Sequence, residues 1–189
     1  VKAEGESGPG SYWTTAYTSE SGVLAEPAYA PSRSGMVFAL WYADEACTQR
    51  VDFSKPFAED ATIYGKLVAG TLGGALPTEV GTGTAWWSLA DDGTLCIRGS
   101  GMLKDLGWRE GTVDGSTDYW GAHRASVKRV VMDPSIRSKS MYLWFYKCTN
   151  LTDIMDLFVP EGVQDTAGLF WKCASLEVIP EGFSLPQSV

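Results

Sequence analysis

The sequence has few features that would bring this protein to nucleic acid or into a membrane. Fifteen basic residues stand against 23 acidic ones, so the formal net charge is −8. A chain without a basic stripe cannot displace the counterions of a phosphate backbone, and we expect no nucleic-acid partner. The most apolar run, residues 36–42, is much shorter than the roughly 18 apolar residues of a spanning helix, so we expect no membrane insertion.

Residues that carry catalysis or hold metals are also scarce. His123 is the one histidine, and the cysteines are widely spaced, with no CxxC pair: Cys47, Cys96, Cys148 and Cys173. Structural zinc sites need closely spaced ligand pairs. There is no nucleophile elbow, P-loop or GxGxxG motif. Nothing in the sequence places two carboxylates opposite each other across a cleft, as a glycosidase would need. We therefore predict that the chain is not an enzyme and has no catalytic, cofactor-binding or metal-binding residue.

The composition is otherwise that of a globular protein, with 44% apolar residues. Residues 1–10 are small and polar and are predicted to be a leader or linker. Residues 70–84 contain five glycines and a proline and predict a second linker. Two modules follow from this division, residues 11–69 and 85–189. Because the chain begins with Val1 and ends within a repeat, we expect a piece of a longer protein whose second module is incomplete at its C-terminus.

The first module is predicted to be built of short strands. Runs rich in aromatic and β-branched residues cover 12–17, 36–42 and 61–67, and turn-forming residues separate them. About sixty residues make a marginal core. Large rings offset this because each can bury much apolar area, and five are predicted to be core: Trp13, Phe38, Trp41, Phe53 and Tyr64.

This module resembles the internalin-type B repeat, also called the Listeria–Bacteroides repeat, a small β-grasp-like domain found in tandem in bacterial cell-surface proteins. Leu40 stands where that family usually has glycine, and Met36 where it usually has an aromatic residue. The geometry of the strand is in question there, since glycine permits a close backbone approach. The residues that carry the resemblance are Gly35, Phe38, Trp41, Tyr42, Asp52, Phe53, Pro56 and Tyr64.

The second module begins with a predicted hairpin and continues with a repeat. Residues 85–89 and 94–98 flank an Asp-Gly turn, and Asp91-Asp92 suits that turn better than a calcium site. Further on, Trp144-Phe-Tyr-Lys-Cys-Thr-Asn-Leu151 aligns with Leu169-Phe-Trp-Lys-Cys-Ala-Ser-Leu176. Apolar pairs starting at 127, 151 and 176 are 24 and 25 residues apart. A period of about 25 residues is typical of a solenoid with one short strand and one short helix per turn.

The helical part of each turn is predicted from its apolar spacing. Met141, Trp144, Phe145 and Cys148 form one stripe at i, i+3, i+4 and i+7, and the next turn repeats it with Thr166, Leu169, Phe170 and Cys173. Asn150 is predicted to end the first helix, where asparagine tolerates positive φ. The two helices should lie about 8–10 Å apart, too far for a disulfide between Cys148 and Cys173.

Side chains beside the apolar stripe are the candidate ligand contacts. Tyr146 aligns with Trp171, and each follows the inward-facing Phe by one residue, which on a helix points it sideways or outward. Lys147 and Lys172 flank the two rings. We call Tyr146, Trp171, Lys147 and Lys172 the aromatic ledge. Such a surface suits sugar faces or apolar side chains, although the same rings are also suited to packing turn against turn.

The second module resembles the BspA-like leucine-rich repeat surface proteins, in its Trp-Ser-Leu-Ala-Asp-Asp-Gly-Thr-Leu opening, its Phe-Tyr-Lys-Cys-Thr-Asn-Leu-Thr motif and its Leu-Glu-Val-Ile-Pro closing. Together the two resemblances imply an α+β, mostly β protein. A small β-grasp-like module would precede a short leucine-rich-repeat solenoid with an N-terminal hairpin cap. They also imply an extracellular location, on the cell wall or surface of a bacterium.

The expected function is therefore binding. One hypothesis is an adhesin-like fragment of a secreted or wall-attached protein, whose solenoid binds a host or neighbouring-cell protein. The alternative is a carbohydrate-binding or spacer module of a larger secreted enzyme, which the eight tryptophans favour. The partner would be an extracellular protein or glycan, with no cofactor. Because an unfinished turn exposes apolar core, we also expect self-association, or further repeats, at the uncapped last turn.

Overall fold

The computed structural model describes residues 2–3, 19–24, 26–27, 33–53, 55–57, 59–108, 119–181 and 183–185. Its elements are strands and turns, with one short 3-10 helix, Gly121–Ser126, in the described part. The mostly β fold predicted from the sequence is thus confirmed. The strands are β1 (Lys2–Ala3), β2 (Met36–Tyr42), β3 (Tyr64–Ala69), β4 (Leu72–Leu76), β5 (Ala85–Leu89), β6 (Thr94–Gly99), β7 (Gly101–Leu103), β8 (Arg129–Met132), β9 (Ile136–Ser138) and β10 (Asp153–Asp156).

Three sheets organise these strands. The first has the order β1-β3-β2, the second β10-β8-β6-β5-β4, and the third pairs β7 with β9. In the second sheet β4, β5 and β6 are antiparallel neighbours, whereas β6, β8 and β10 run parallel. No helix in the described part is long and apolar enough to cross a membrane.

The first sheet matches the sequence prediction in part. Strand β2 has the predicted bounds, and β3 begins three residues later than the predicted run 61–67. The predicted strand 12–17, with Trp13, lies outside the described residues. Of the predicted leader 1–10, only Lys2–Ala3 is described, and it pairs in parallel with β3 rather than forming a linker.

Strand β2 has an irregular register that turns two neighbouring residues toward the second sheet. The register against β3 shifts between Phe38 and Trp41. Phe38 and Trp41 lie in the core of the first part, whereas Ala39 and Leu40 pack against Cys96 and Val131 of the second sheet. Leu40, the residue that departs from the B-repeat pattern, therefore joins the two parts of the chain.

The glycine-rich segment 70–84, which was predicted to be a linker, contains the strand β4. All five residues of β4 pair with β5, from Leu72 opposite Leu89 to Leu76 opposite Ala85. A Cβ at Gly73 would lie 2.8 Å from the Trp87 carbonyl oxygen. Glycine thus lets the two backbones approach. The division of the chain into two modules at this segment remains a prediction.

The hairpin β5–β6 forms as predicted, and its turn uses the Asp-Gly pair. Asp92 accepts a hydrogen bond from the Thr94 amide at 2.8 Å through its carboxylate, and Gly93 has a φ of +92°. Residues from this hairpin, from β8 and from the later turns form one large core, whose most deeply buried side chains include Trp120, Trp144, Phe145, Ile97 and Met132.

Gly99→Ala is expected to lower the free energy of unfolding by about 2–4 kcal/mol. Gly99 has a φ of +106°, and an added Cβ would lie 2.9 Å from the Ala85 Cα and closer still to the Thr84 carbonyl oxygen. Chemical denaturation measures the loss. Gly107→Ala is the matched control, because Gly107 also has positive φ (+75°) but nothing within 4 Å of the added Cβ. Equal losses in the two variants would contradict the steric part of this account.

Candidate binding surface

Residues 141–148 and 166–173 form two coils with the same backbone hydrogen bonds. We call them the first coil and the second coil. In the first coil, amides of residues 144, 146 and 148 donate to carbonyls of residues 141, 143 and 145. In the second coil, amides of residues 169, 171 and 173 donate to those of residues 166, 168 and 170. Each coil is thus three consecutive β-turns. In two of the three turns of each coil the third residue has positive φ, as type II turns require; these residues are Leu143, Lys147, Gly168 and Lys172.

The predicted helices at these positions are therefore wrong. In a helix the main-chain amides form hydrogen bonds within the same segment, whereas alternate amides of the first coil donate hydrogen bonds to the second coil. Asn150 does not end a helix either. It is absent from the residues with positive φ, and its side chain donates to the Ala125 carbonyl at 2.7 Å. Asn150 therefore links its own turn to the preceding segment instead of capping a helix.

The structure brings the four residues of the aromatic ledge together. The rings of Tyr146 and Trp171 have centroids 5.1 Å apart and are tilted by 42°. Lys172 Nζ lies 4.9 Å from the Trp171 ring centroid and 5.6 Å from that of Tyr146, and it donates to Tyr146 Oη at 3.4 Å. Lys147 Nζ lies 5.5 Å from the Tyr146 ring centroid. The ammonium groups thus lie near the rings at cation–π distances.

The two rings differ in exposure, which the sequence did not predict. Tyr146, expected to point sideways or outward, is only 8% exposed and packs against the second coil, whereas Trp171 is 45% exposed. The difference follows from the stacking: the second coil covers Tyr146, and no described segment covers Trp171 to the same extent. The surface available to a ligand is therefore the Trp171 indole with the two lysines, and Tyr146 supports it from below.

Arg124 and Trp120 hold the first coil from the other side. Arg124 Nη1 donates to the carbonyls of Leu143, Trp144 and Tyr146, at 3.3, 3.0 and 2.8 Å. Trp120 Nε1 donates to the Trp144 carbonyl at 2.8 Å. The Arg124 guanidinium also lies 4.5 Å from the Trp108 ring centroid. Since Arg124 is buried, these hydrogen bonds form away from water and fix the backbone that carries Tyr146.

The two aligned cysteines are free thiols. Burial raises the pKa of Cys148 to about 12 and that of Cys173 to about 11. The Cys173 thiol donates to the Phe145 carbonyl at 2.9 Å, so it adds one more link between the coils. A thiol with a raised pKa is a poor nucleophile, and the two act as small packing side chains, Cys148 buried and Cys173 half-buried. In the described part of the chain, no three His, Cys, Asp or Glu residues come together to hold a metal ion.

A second cluster of polar groups joins the first sheet to the second. Arg98 lies with its guanidinium carbon 4.6 Å from the Phe38 ring centroid and 4.8 Å from the Trp86 ring centroid. Its Nη1 donates to Glu26 Oε1 at 3.4 Å, with both side chains about 95% or more buried. Ser88 Oγ adds a hydrogen bond to the Phe38 carbonyl at 2.9 Å. We call this cluster the joint.

Two carboxyl groups, Glu26 in the joint and Asp133 near it, have raised pKa values. Burial, together with the nearby Asp133 charge, raises the pKa of Glu26 to about 7, although Arg98 opposes the shift. Burial raises the pKa of Asp133 to about 6, against hydrogen bonds from Ser135. Asp133 also lines a crevice of about 180 Å³ with Trp41 and Arg50. Carboxyl groups with shifted pKa values beside a crevice are candidates for a functional site. Here both groups lie where two parts of the chain pack together, so their shifted pKa values are explained by that packing.

Sequence reasoning missed Arg124, Arg98, Glu26 and Asp133. The first had a readable signal, because Trp120, Phe145 and Phe170 are each 25 residues apart, which extends the repeat one turn toward the segment that carries Arg124. Arg98, Glu26 and Asp133 had no such signal in the sequence, because their contacts join distant parts of the chain. Arg98 and Glu26, for example, are 72 residues apart. His123, the one candidate for acid–base chemistry in the sequence, lies in the 3-10 helix and is half-buried.

The chain was compared with known families and proteins. Residues 3–66 match the family model of the Listeria-Bacteroides repeat domain. No curated protein matches the chain. Among solved structures, a leucine-rich repeat protein from Eubacterium ventriosum is similar at a TM-score of 0.31 and 22% identity, over 50% of this chain and 22% of that one. The chain thus spans about a fifth of that protein, and a likeness this distant carries no weight for function.

The family match agrees with the residues that suggested it. It covers the last residue of β1, all of β2 and the start of β3, and it includes Phe38 and Trp41 of the first core. Domains of this type are typical of bacterial surface proteins. The part that follows is described by its own geometry, a sheet that continues through β8 and β10 into two stacked coils. Residues 3–66 of this chain are therefore a Listeria-Bacteroides repeat domain, and a second part built of strands and turn coils is packed against them.

Proposed function

We propose that the chain is a non-catalytic, adhesin-like part of a secreted or wall-attached bacterial surface protein, and that its aromatic ledge binds a protein of a host or of a neighbouring cell. The observation that carries the proposal is the exposed indole of Trp171 beside Lys172, with Lys147 at the adjoining ring of Tyr146. A large amphipathic ring next to cationic groups is the kind of anchor that dominates protein interfaces. It suits a partner with an apolar side chain near a carboxylate.

Several features of the fold support a display role. The period of about 25 residues and the repeated coil hydrogen bonds suit a short leucine-rich-repeat solenoid, in which the hairpin β5–β6 serves as the N-terminal cap. The joint packs the repeat domain firmly on the second sheet, as a spacer that presents a binding module would need. The solenoid, its cap and the extracellular location are all parts of this proposal.

The alternative is carbohydrate binding or a pure spacer role. The same exposed indole would also stack on the apolar face of a sugar ring. A protein ligand is favoured because Lys172 lies over the rings of Tyr146 and Trp171 and Lys147 lies over the ring of Tyr146, and ammonium groups complement carboxylates better than neutral hydroxyls. A spacer would need no ligand at all, so it is distinguished by a negative result for both ligand classes.

Trp171→Ala is the decisive variant. We expect it to weaken binding to the protein ligand at least tenfold, as removal of a buried interface tryptophan does. Binding is measured by surface plasmon resonance against panels of extracellular-matrix proteins and of glycans. Because Trp171 is partly exposed, its loss should change the free energy of unfolding by less than about 1.5 kcal/mol.

Met155→Ala is the matched control. Met155 is an exposed apolar residue on β10, 70% exposed, outside the ledge, so its loss should leave binding unchanged. Equal effects of the two variants would contradict a specific ledge. Binding to glycans alone would favour the carbohydrate-binding alternative, and no binding in either panel would favour the spacer.

A further inference from the structure

The first sheet and the second sheet enclose a second crevice, next to the one that Asp133 lines. It shares Leu40 and Arg50 with that crevice and has a volume of about 180 Å³. Strands β2 and β3 form one wall, and strands β6, β8 and β10 form most of the other. We call it the inter-sheet crevice. Because each part of the chain supplies one wall, the crevice exists only when the two parts are packed together.

The wall from the first sheet carries a phenol and an ammonium group. Successive side chains of a strand point to opposite faces, so Leu67 enters the first core, whereas Lys66 and Val68 line the inter-sheet crevice. Tyr42 is opposite Tyr64 in the register of β2 against β3, two residues before Lys66. Tyr42 and Lys66 are therefore diagonal neighbours on the same face of the sheet.

The floor of the inter-sheet crevice is apolar. Leu40 packs against Cys96 and Val131, and Val68 borders this contact. Burial raises the pKa of Cys96 to about 12, so its thiol is neutral and belongs to the apolar surface. A ligand that enters the crevice can therefore bury a hydrocarbon body on this floor.

The cations at the inter-sheet crevice differ in how they are paired. Arg50 and Arg129 both donate to the Asp156 carboxylate, so their charges are engaged in the contact between the two parts. Lys66 is half-buried, and no carboxylate in the described part of the chain forms an ion pair with it. Asp92 also lines the crevice, but its carboxylate accepts a hydrogen bond from the backbone of its own turn. The Lys66 ammonium is thus available to an anion.

The Tyr42 hydroxyl is available as well. It has no hydrogen-bond partner among the residues that the structure describes, and the side chain is half-buried at the crevice. Burial raises the pKa of Tyr42 to about 12, so the phenol keeps its proton and remains a donor. An ammonium group and a phenol O–H on one wall, above an apolar floor, suit an anion that carries an apolar body.

We propose that the inter-sheet crevice binds a small monocarboxylate with a short hydrocarbon body, of the size of benzoate. The carboxylate pairs with Lys66 Nζ and accepts a hydrogen bond from Tyr42 Oη, and the hydrocarbon lies on the floor at Leu40. The volume suits this size, since an apolar cavity of about 150 Å³ holds benzene. The site shares no residue with the aromatic ledge and does not rest on the proposed function.

The charges at the crevice favour a monoanion over phosphate. A phosphate dianion requires more than one unpaired cation to offset its desolvation. In the described lining, Lys66 is the one cation without a carboxylate partner, and the negative charges of Asp92 and Asp156 oppose a second negative charge on the ligand. Phosphate also has no hydrocarbon body to bury on the apolar floor.

Titration of the whole chain with benzoate at pH 7, followed by heteronuclear NMR, tests the proposal. We expect a Kd on the order of 1 mM, with shifts confined to amides of the two walls, near Lys66, Thr94 and Val131. Benzamide has the same shape without the charge and should bind at least tenfold more weakly. Equal binding of benzoate and benzamide would overturn the proposal, and so would the absence of shifts at about 20 mM benzoate or tighter binding of inorganic phosphate at the same amides.

Two variants test the assigned contacts. Lys66→Met removes the ammonium but keeps an unbranched side chain, and we expect it to weaken benzoate binding at least tenfold. Tyr42→Phe removes only the hydroxyl and should weaken binding about threefold to tenfold. Lys104→Met is the matched control, because Lys104 is an exposed lysine outside the crevice. Binding of benzoate by Lys66→Met as tightly as by Lys104→Met would overturn the assignment.

Trp171→Ala separates this site from the aromatic ledge. The variant should bind benzoate with unchanged affinity, even though it loses ledge binding. Loss of benzoate binding on Trp171→Ala would place the carboxylate at the ledge and overturn the inter-sheet site, whereas failure of the ledge to bind any protein would leave the benzoate result unaffected. The two proposals therefore fail separately.

Discussion

Replacing Arg124 by methionine is expected to lower the free energy of unfolding by about 3–5 kcal/mol, the largest effect of any single change proposed for this protein. The guanidinium donates to three carbonyls of the first coil through Nη1. Methionine fills similar volume but removes all three donated hydrogen bonds. The Leu143 and Trp144 carbonyls keep one other donor each, the Tyr146 amide and Trp120 Nε1, whereas loss of the donor to the buried Tyr146 carbonyl costs roughly 1–3 kcal/mol. The cation–π contact with Trp108 is lost as well.

Urea denaturation followed by tryptophan fluorescence measures this loss. Arg124→Lys gives a graded comparison if the methionine variant does not fold, because an ammonium keeps the charge but lacks the planar set of donors; we expect a loss of about 1–3 kcal/mol for it. Lys104→Met is the surface control, since Lys104 is exposed. An Arg124→Met variant as stable as Lys104→Met would contradict the role of Arg124 in holding the carbonyls of the first coil.

The second large expected effect is that the protein becomes less stable as the pH rises from 5 to 8. Folding raises the pKa of Glu26 from 4.5 to about 7 and that of Asp133 from 3.8 to about 6. Between the unfolded and folded pKa values the folded state binds more protons, so the free energy of unfolding falls with increasing pH. We expect a decrease of roughly 2–4 kcal/mol over this interval.

Denaturation curves at pH 5 and pH 8 measure the decrease. Glu26→Gln should remove more than half of it, because the amide has the shape of the protonated carboxyl and does not titrate. The groups that surround Glu26 in this comparison are Arg98, Asp133 and the Trp41 indole. Glu20→Gln alters an exposed carboxyl and should retain the full pH dependence. A wild-type protein equally stable at both pH values would contradict the raised pKa values.

The expected fall in stability concerns the place where the repeat domain meets the second sheet. Glu26 and Arg98 come from different parts of the chain, and the Arg98 guanidinium lies beside Phe38 as well as Trp86. Charging Glu26 fully in this apolar surrounding weakens the contact that fixes one part against the other. Loss of stability at high pH should therefore affect the packing of the two parts together.

Local sequence patterns correctly predicted those strands whose formation depends mainly on residues close by in the sequence. Alternating aromatic and β-branched residues identified β2 with its bounds, and the Asp-Gly turn identified the hairpin β5–β6. Strand β4 was missed because its glycines have low strand propensity. It forms because β5 supplies a partner edge, and because Gly73 lets that edge come close.

The coils show why a correct spacing led to an incorrect element. Apolar residues at 141, 144, 145 and 148 suit a helix, and the same spacing also suits consecutive turns that face one core. The choice depends on where the amides of residues 141, 143, 145 and 147 find acceptors. Those acceptors lie 24 residues later in the sequence, beyond any local pattern.

By itself the sequence determined that this protein is mostly β, that its first part is a Listeria-Bacteroides repeat, and that a 25-residue repeat aligns Tyr146 with Trp171. The first and third conclusions rest on composition, local propensity and periodicity, which a chain carries before it folds. The second rests on the resemblance of residues 35–64 to that family, whose model matches residues 3–66. Only the tertiary structure decided that Tyr146 is buried under the second coil while Trp171 remains exposed, and that Arg124 donates to three carbonyls of the first coil. Burial and hydrogen-bond pairing depend on residues far apart in sequence, so they exist only once the sheets and coils are stacked.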